Sequence, residues 1–186
     1  HETIIILDFG SQYTQLIARR VREQGVYCEI HPFHLSAEAI MAKRPKGVIL
    51  SGGPSSVTDD DAPRVAADFY DRIDVPILGI CYGMQLVAVD LGGTSEPAAR
   101  REYGAATLKV LSGKTALFNE LPFNLDVWMS HGDHVTKLPD GFATTATTGD
   151  VITAIENDER SIYCVQFHPE VSHTPLGKEI IRNFVF

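Results

Sequence analysis

The sequence predicts an α/β fold of three layers, with a mainly parallel central sheet covered by helices on both faces. In the first half of the chain, short apolar runs alternate with segments of helical spacing, an order typical of parallel strands joined by helical crossovers. These apolar runs are continuous, as expected for strands buried on both faces. After Gly93, strand-like runs follow one another between turn residues, which indicates an added antiparallel or mixed region.

The first half opens with a predicted strand at residues 3–7 and a helix that Ser11 caps and Gly25 ends. The elements that follow are a strand at 26–31, a helix at 37–43, a strand at 47–50, a helix through Val65, Phe69 and Ile73, a strand at 76–80 and an apolar helix at 82–91. This alternation places the carboxyl ends of the strands along one edge of the sheet.

The second half is predicted to contain five short strands and a closing helix. The strands are at residues 107–111, 125–129, 143–148, 151–155 and 162–167, and the helix carries Leu176, Ile180, Ile181, Phe184 and Val185 on one face. We expect the strand at 162–167 to return beside the strand at 76–80.

Composition limits the possible functions. With 186 residues, 44% hydrophobic and 22% charged, we expect residues 1–186 to form a single globular domain. The net charge of −8 argues against non-specific nucleic-acid binding and against a basic membrane-binding patch. No apolar run approaches the ~18 residues of a membrane span, and no signal peptide precedes the first strand. Three widely spaced cysteines are typical of reduced thiols in a cytoplasmic protein.

The chemistry is predicted to centre on Cys81, in the stretch G-I-C-Y-G between a buried strand and an apolar helix. This is the pattern of a nucleophile elbow, with cysteine in the serine position and glycines where side chains would clash. At the N-terminus of the following helix, we expect the macrodipole to favour the thiolate. The alternative, a small buried hydrophobe, is the interpretation we give to Cys28 and Cys164.

A cysteine nucleophile needs a base, and His168 and Glu170 are the candidates. The run Q-F-H-P-E follows the last predicted strand, so His168 can accept the thiol proton while Glu170 orients its ring. Pro169 holds the backbone extended, which places both side chains on one side of the chain. Alone, H-P-E is equally consistent with a charged surface loop; its position after a strand, in a chain with a cysteine elbow, makes the catalytic interpretation stronger.

An oxyanion hole is predicted from backbone N–H groups near Cys81. The elbow supplies the amide of Tyr82, and the loop S-G-G-P after the strand at 47–50 supplies Gly53 or Gly52, since Pro54 has no N–H. A tight turn without this role and a phosphate-binding loop are the alternatives, although no lysine follows to complete a nucleotide-binding motif.

The stretch S-H-G-D-H at residues 130–134 holds two histidines and an aspartate. No HExxH helix or further ligand cluster accompanies it, so we predict no metal site. We expect a loop that lines the substrate pocket.

The three motifs, in the order G-G-P, G-I-C-Y-G-M-Q and H-P-E, resemble those of the class I (triad) glutamine amidotransferases over the whole chain. The resemblance implies a flavodoxin-like fold and a catalytic triad of Cys81, His168 and Glu170, with Gly53 and Tyr82 as the oxyanion donors. It also implies that Gln85, Ser130 and His131 hold the amino-acid end of L-glutamine, which is hydrolysed through a Cys81 thioester.

Four further stretches, D-F-G-S-Q-Y, R-E-Y-G, W-M-S-H-G-D and V-S-H-T, narrow the resemblance to one branch of the family. That branch implies a partner, an ATP-pyrophosphatase (synthetase) domain or subunit that uses ATP and Mg²⁺ and receives the ammonia. We expect that domain to be absent from this chain, which itself needs no cofactor. Two alternatives stay open: a γ-glutamyl or peptidase-like cysteine hydrolase of the same fold, and a catalytically silent regulatory module.

Overall fold

The computed structural model describes residues 2–111 and 115–186, and the side chains of residues 99–103 and of His131 lie outside that description. The helices are α1 (Thr14–Glu23), α2 (Ala37–Ala42), α3 (Phe69–Arg72), α4 (Tyr82–Asp90) and α5 (Gly177–Val185). The strands are β1 (Thr3–Asp8), β2 (Tyr27–Pro32), β3 (Gly47–Leu50), β4 (Ile77–Ile80), β5 (Thr94–Val110), β6 (Asn124–Lys137), β7 (Ala143–Thr148), β8 (Val151–Asn157) and β9 (Ile162–Val165).

Within the described residues, nine strands form one sheet in the order β2-β1-β3-β4-β9-β8-β7-β5-β6. The five strands from β2 to β9 are parallel, and the remaining pairs are antiparallel. The predicted return of the last strand beside the elbow strand is confirmed, because Ile80 of β4 pairs with Val165 of β9. The ends of β3, β4 and β9 therefore lie side by side at one edge of the sheet.

The core lies on both faces of this sheet, as predicted. The core consists of two clusters, and alternate side chains of β1 belong to different ones. Ile4 and Ile6 pack with α1 and α5, whereas Ile5 and Leu7 pack with α2, α3 and α4. All four side chains are buried because helices cover both faces. This arrangement explains why β1 is a continuous apolar run.

The predicted helix through Val65, Phe69 and Ile73 is too long, since α3 covers only Phe69–Arg72. Tertiary hydrogen bonds hold the preceding segment as a loop: the Tyr82 hydroxyl donates to the Pro63 carbonyl, and the Arg64 guanidinium donates to the Val57 carbonyl at 2.6 Å. Apolar spacing in the sequence does not reveal such contacts.

The predicted cap of the first helix is also wrong. The helix begins later, with Tyr13 at the N-cap position, and the Ser11 hydroxyl accepts the Tyr13 N–H at 3.0 Å. Ser11 therefore stabilises the turn between β1 and α1 and does not cap the helix.

The largest difference from the prediction is the hairpin of β5 and β6. The predicted strand at 107–111 lies in β5 except for its last residue, the predicted strand at 125–129 lies in β6, and these two strands span 17 and 14 residues. Residues 130–134, predicted as a loop, belong to β6, and the register of the pair shifts between Pro97 and Glu102. Among the described residues, no helix is both long and apolar enough to cross a membrane.

Candidate active site

Cys81 lies at a sharp turn between β4 and α4. Its backbone has φ 51° and ψ −107°, outside the regions that a non-glycine residue ordinarily occupies, so the turn is strained. A Cβ on Gly79 would lie 2.8 Å from the backbone carbonyl of Gly83, and a Cβ on Gly83 would lie 2.5 Å from the Leu50 carbonyl oxygen. Both positions accept only glycine, which is the physical basis of the predicted elbow.

The structure brings the three predicted triad residues together. Cys81 Sγ lies 3.3 Å from His168 Nε2, and His168 Nδ1 lies 2.6 Å from Glu170 Oε1. All three side chains are buried, Glu170 completely. An imidazole between a thiol and a carboxylate can accept the thiol proton on one nitrogen while the other nitrogen donates to the carboxylate.

The Cys81 thiol lies within reach of two acceptors. Besides His168, the carbonyl oxygen of Gln166 lies 2.9 Å from Sγ and accepts the S–H. Burial raises the pKa of the Cys81 thiol above its ordinary value, although the neighbouring His168 acts to lower it. Desolvation of the sulfur therefore outweighs the charges around it, and the expected contribution of the start of α4 to the thiolate stays a prediction.

For the pKa of His168, the neighbouring charged groups outweigh burial. Its burial favours the neutral ring, but the adjacent Cys81 sulfur and the Glu170 carboxylate more than offset this, and the pKa of His168 is raised. The imidazole therefore binds a proton more tightly than a solvent-exposed histidine does. A ring of this kind is suited to take a proton from a thiol and to hold it between two steps of a reaction.

Gly53 and Tyr82, the predicted oxyanion donors, line the same cleft as Cys81. Gly53 is half-buried at the cleft, and a Cβ there would lie 2.3 Å from the Phe9 carbonyl oxygen, so the loop can approach the turn after β1 only with glycine at this position. A Cβ on Gly52 would contact Cys81 and His168 at 3.5 and 3.4 Å, which shows how closely this loop borders the triad. Tyr82, the first residue of α4, directs its side chain into the core.

A cleft of about 530 Å³ opens onto Cys81 and His168. Its lining comes from the turn after β1, the loop after β3, the elbow and β6: Gly10, Ser11, Gln12, Tyr13, Gly53, Pro54, Ser55, Ser56, Cys81, Tyr82, Gln85, Ser130, Gly132, Asp133 and His168. Ser130, Gly132 and Asp133 thus line the pocket, as predicted for this stretch, but they do so from a strand.

Of the three predicted substrate contacts, Gln85 and Ser130 lie at the cleft. The Gln85 amide is largely engaged within the protein, since its Nε2 donates to the Asp133 carbonyl at 3.1 Å and contacts Gln166 Oε1 at 3.4 Å. These bonds hold α4 against β6 and against the segment after β9. The side chain of His131 lies outside the described residues.

Sequence reasoning missed several neighbours of the triad. The Tyr13 ring lies edge-on to the His168 ring, with centroids 5.2 Å apart, and the turn around it forms one wall of the cleft. The Gln166 carbonyl binds the thiol, and Ser56 links the loop after β3 to Asp133 through a hydrogen bond. One signal was available: the turn after β1 lies at the carboxyl edge of the parallel sheet, where ligands bind in folds of this kind.

Within the described ranges, no group of three or more His, Cys, Asp or Glu side chains is arranged so that it could hold a metal ion. The sheet order, the strained elbow and the Cys-His-Glu line define a class of α/β protein built for nucleophilic acyl transfer by a cysteine.

Comparison with known proteins assigns the chain to a family. The model of the class-I glutamine amidotransferases matches residues 5–186. The chain belongs to this family. It is 52% identical over its full length to a GMP synthase [glutamine-hydrolyzing] of Alkaliphilus metalliredigens and 54% identical, over 98% of its length, to the same enzyme of Carboxydothermus hydrogenoformans. The chain spans 36% of the length of each of these relatives.

Solved structures agree with this assignment. A protein of Thermoplasma acidophilum described as one subunit of a GMP synthase superimposes with a TM-score of 0.88 at 32% identity, over 99% of this chain and 92% of that one. A glutamine amidotransferase of Thermotoga maritima superimposes with a TM-score of 0.71 at 20% identity, over 92% of this chain and 77% of that one, which shows the shared fold.

Proposed function

We propose that residues 1–186 form the glutamine amidotransferase domain of a GMP synthase, which hydrolyses L-glutamine to L-glutamate and ammonia. The observation that carries the proposal is the line of contacts from Cys81 Sγ to His168 Nε2 at 3.3 Å and from His168 Nδ1 to Glu170 Oε1 at 2.6 Å. Family membership and the 52% identity to a glutamine-hydrolysing GMP synthase support glutamine as the substrate.

In the first half-reaction, Cys81 Sγ attacks the side-chain amide carbon of glutamine while His168 Nε2 accepts the thiol proton. The new S–C bond forms as the carbonyl π electrons move to oxygen. The tetrahedral intermediate then collapses, the C–N bond breaks, and His168 gives its proton to the departing nitrogen. Ammonia leaves, and a γ-glutamyl thioester remains on Cys81.

In the second half-reaction, a water molecule attacks the thioester carbon while His168 Nε2 accepts a proton from it. Collapse of the second intermediate breaks the S–C bond, and the sulfur takes the proton back from His168. Glutamate is released, and the thiol is restored. Glu170 acts in both halves, because a carboxylate 2.6 Å from Nδ1 stabilises the imidazolium that forms each time.

Both tetrahedral intermediates carry negative charge on the former carbonyl oxygen. We assign its stabilisation to the backbone N–H groups of Gly53 and Tyr82, which come from the two segments that border the sulfur. Ser130 and His131 are proposed to hold the amino-acid end of glutamine, with Gln85 placed at the cleft by its bonds to β6.

The whole reaction is proposed to need a partner. The relatives are longer than this chain, and the Thermoplasma neighbour is described as one subunit, so we assign the ammonia to an ATP-pyrophosphatase (synthetase) domain that aminates XMP to GMP. ATP and Mg²⁺ belong to that domain, and the amidotransferase domain uses no cofactor of its own. The three free thiols support a cytoplasmic location.

The test is a substrate comparison on the 186-residue chain. We expect equimolar glutamate and ammonia from free glutamine, and slower release of glutamate from γ-glutamyl peptides. A preference for the peptides would favour a γ-glutamyl hydrolase instead. A glutamine-analogue electrophile should label Cys81, and absence of both labelling and turnover would favour a silent regulatory module.

A second assay tests the partner. The chain is mixed with a GMP synthase synthetase domain, XMP, ATP and Mg²⁺, and GMP formation from glutamine is measured. Formation of GMP with free ammonia but not with glutamine would contradict the proposed pairing.

A further inference from the structure

The backbone of His168 is held against β6 at the point where β9 has ended. The His168 N–H donates to the Trp128 carbonyl oxygen at 3.0 Å. Trp128 belongs to β6, which ends the sheet, so this bond attaches the segment after β9 to the free edge of that strand. One hydrogen bond fixes a distance, but it leaves the His168 backbone free to rotate about that bond.

The hydroxyl of Thr174 supplies a second attachment. Thr174 Oγ1 accepts the Trp128 N–H at 2.9 Å and donates to the His168 carbonyl oxygen at 2.7 Å. Together with the bond from His168 to Trp128, these two bonds form a closed ring of three hydrogen bonds. The ring uses the backbone N–H and C=O of Trp128, the backbone N–H and C=O of His168, and the Thr174 hydroxyl. Thr174 is 3% exposed, so water cannot readily replace its hydroxyl.

Thr174 is itself firmly anchored. Its N–H donates to the Val171 carbonyl at 3.1 Å, and its carbonyl accepts the Gly177 N–H at 3.0 Å, at the first residue of α5. A Cβ on Gly177 would lie 1.9 Å from the Pro169 carbonyl oxygen, so the start of α5 packs directly on the H-P-E segment. The backbone of Thr174 is therefore held in place, and its hydroxyl can in turn hold the backbone of His168.

The ring matters because β6 also carries Ser130 and Asp133, which line the cleft. Fixing His168 to Trp128 therefore fixes the imidazole relative to the bound substrate as well as to Cys81. Catalytic groups need to be held within about 0.5 Å of their working geometry, and a displacement of about 1 Å costs on the order of 10²-fold in rate.

We propose that Thr174 is a positioning residue, whose hydroxyl holds the His168 backbone so that Nε2 stays within reach of Cys81 Sγ. The proposal rests on the proposed function for its effect on glutamine turnover, but its effect on Cys81 can be measured without glutamine. Neither Thr174 nor Trp128 contacts the reacting atoms.

The test compares three variants of the chain. Thr174→Val removes the hydroxyl and keeps the shape, whereas Thr174→Ser keeps a hydroxyl that can make both bonds. Thr145→Val is the matched control, since Thr145 is also a buried threonine, at 6% exposure, and its hydroxyl has no partner within the described residues. Circular dichroism and thermal unfolding establish that each variant is folded.

The first measurement is glutamine turnover. We expect kcat of Thr174→Val to fall by about 30-fold or more with KM changed by less than about 3-fold, because the base moves and the substrate contacts do not. Thr174→Ser and Thr145→Val should stay within about 3-fold of the wild type. A wild-type kcat in folded Thr174→Val would overturn the proposal.

The second measurement is the pH dependence of Cys81 alkylation by iodoacetamide, which needs no substrate. The groups that face Sγ are His168, the Gln166 carbonyl and, through His168, the Glu170 carboxylate. A displaced His168 stabilises the thiolate less, so the alkylation midpoint of Thr174→Val should move up by about one pH unit. A purely structural hydroxyl would leave this midpoint unchanged.

The two readouts separate the proposals. If the wild type does not hydrolyse glutamine but the alkylation midpoint moves in Thr174→Val, the proposed function fails and the positioning role stands. If glutamine is hydrolysed and the midpoint does not move, the positioning role fails alone. Should Thr174→Val not fold, Thr174→Ala removes the same hydroxyl without adding a methyl group and is judged by the same outcomes.

Discussion

His168 Nδ1 and Glu170 Oε1 are 2.6 Å apart, although only Pro169 separates the two residues in the chain. Residues 169 and 170 form a turn, so the predicted extended backbone at Pro169 is wrong, and this turn brings the Glu170 carboxylate back to the His168 ring. The base and its orienting carboxylate therefore come from one short segment, whereas the nucleophile comes from the end of the neighbouring strand β4.

Glu170→Gln should lower kcat for glutamine by about 10²-fold, because the amide keeps the size of the side chain but removes the charge that stabilises the imidazolium. The pKa of His168 should fall in this variant, since the Glu170 carboxylate is among the groups that raise it. Steady-state kinetics and an NMR titration of the His168 ring measure the two effects. An unchanged kcat would remove Glu170 from the mechanism.

Cys81→Ala should abolish ammonia release from glutamine, while a reconstituted synthetase continues to use free ammonia. Cys28→Ala is the matched control, because Cys28 is also buried but its thiol contacts the Ala18 carbonyl at 3.5 Å, away from the cleft. Ammonia and GMP are measured in parallel for both variants. Residual glutaminase activity in Cys81→Ala would contradict the mechanism as a whole.

Gly83→Ala should destabilise the fold by about 3 kcal/mol or more, because its Cβ would lie 2.5 Å from a backbone oxygen that cannot move aside. Gly25→Ala, where φ is +79° but no atom lies within 4 Å, should cost only about 1 kcal/mol. Urea unfolding measures both free energies. If both variants lost the same free energy of unfolding, the close approach of Gly83 to Leu50 would not contribute to the stability of the fold.

Glu156→Gln should change how stability depends on pH. Burial raises the pKa of Glu156 to about 7 in the folded chain, while backbone N–H groups, including that of Leu117 at 3.4 Å, act against it. A raised pKa means that the folded state binds the proton more tightly than the unfolded state. This stabilising effect is complete below the unfolded pKa of about 4.5 and is lost as the pH rises through about 7.

The free energy of unfolding of the wild type should therefore fall relative to Glu156→Gln between about pH 4.5 and pH 8. Urea unfolding of both proteins at closely spaced pH values measures how the free energy of unfolding of each changes with pH. A difference between the two proteins that does not vary with pH would refute the assignment to Glu156.

The local parts of the site could be predicted from the sequence. The elbow depends on glycines at fixed offsets from Cys81, and the pair of His168 and Glu170 depends on a spacing of two across a proline. The parallel half of the sheet was predictable for a similar reason, since its strands are continuous apolar runs. Each of these features is determined by residues that are neighbours in the chain.

The β5–β6 hairpin was not predictable in the same way. Its strands contain Pro97, Gly104 and many polar residues, and the register shifts within the pair, so neither alternation nor a continuous apolar run marks it. Residues 130–134 were predicted as a loop for this reason. They are a strand because β5 supplies the partner, which is a contact across the chain.

The sequence by itself determined the chemistry of this protein: a cysteine on a glycine-flanked elbow, a histidine and glutamate after the last strand, and a glycine loop that precedes both. Only the tertiary structure decided how those groups behave. Burial raises the pKa of Cys81, Tyr13 packs against the His168 ring, and Thr174 joins His168 to β6. Desolvation and long-range hydrogen bonds depend on segments that are distant in sequence, and no local pattern encodes them.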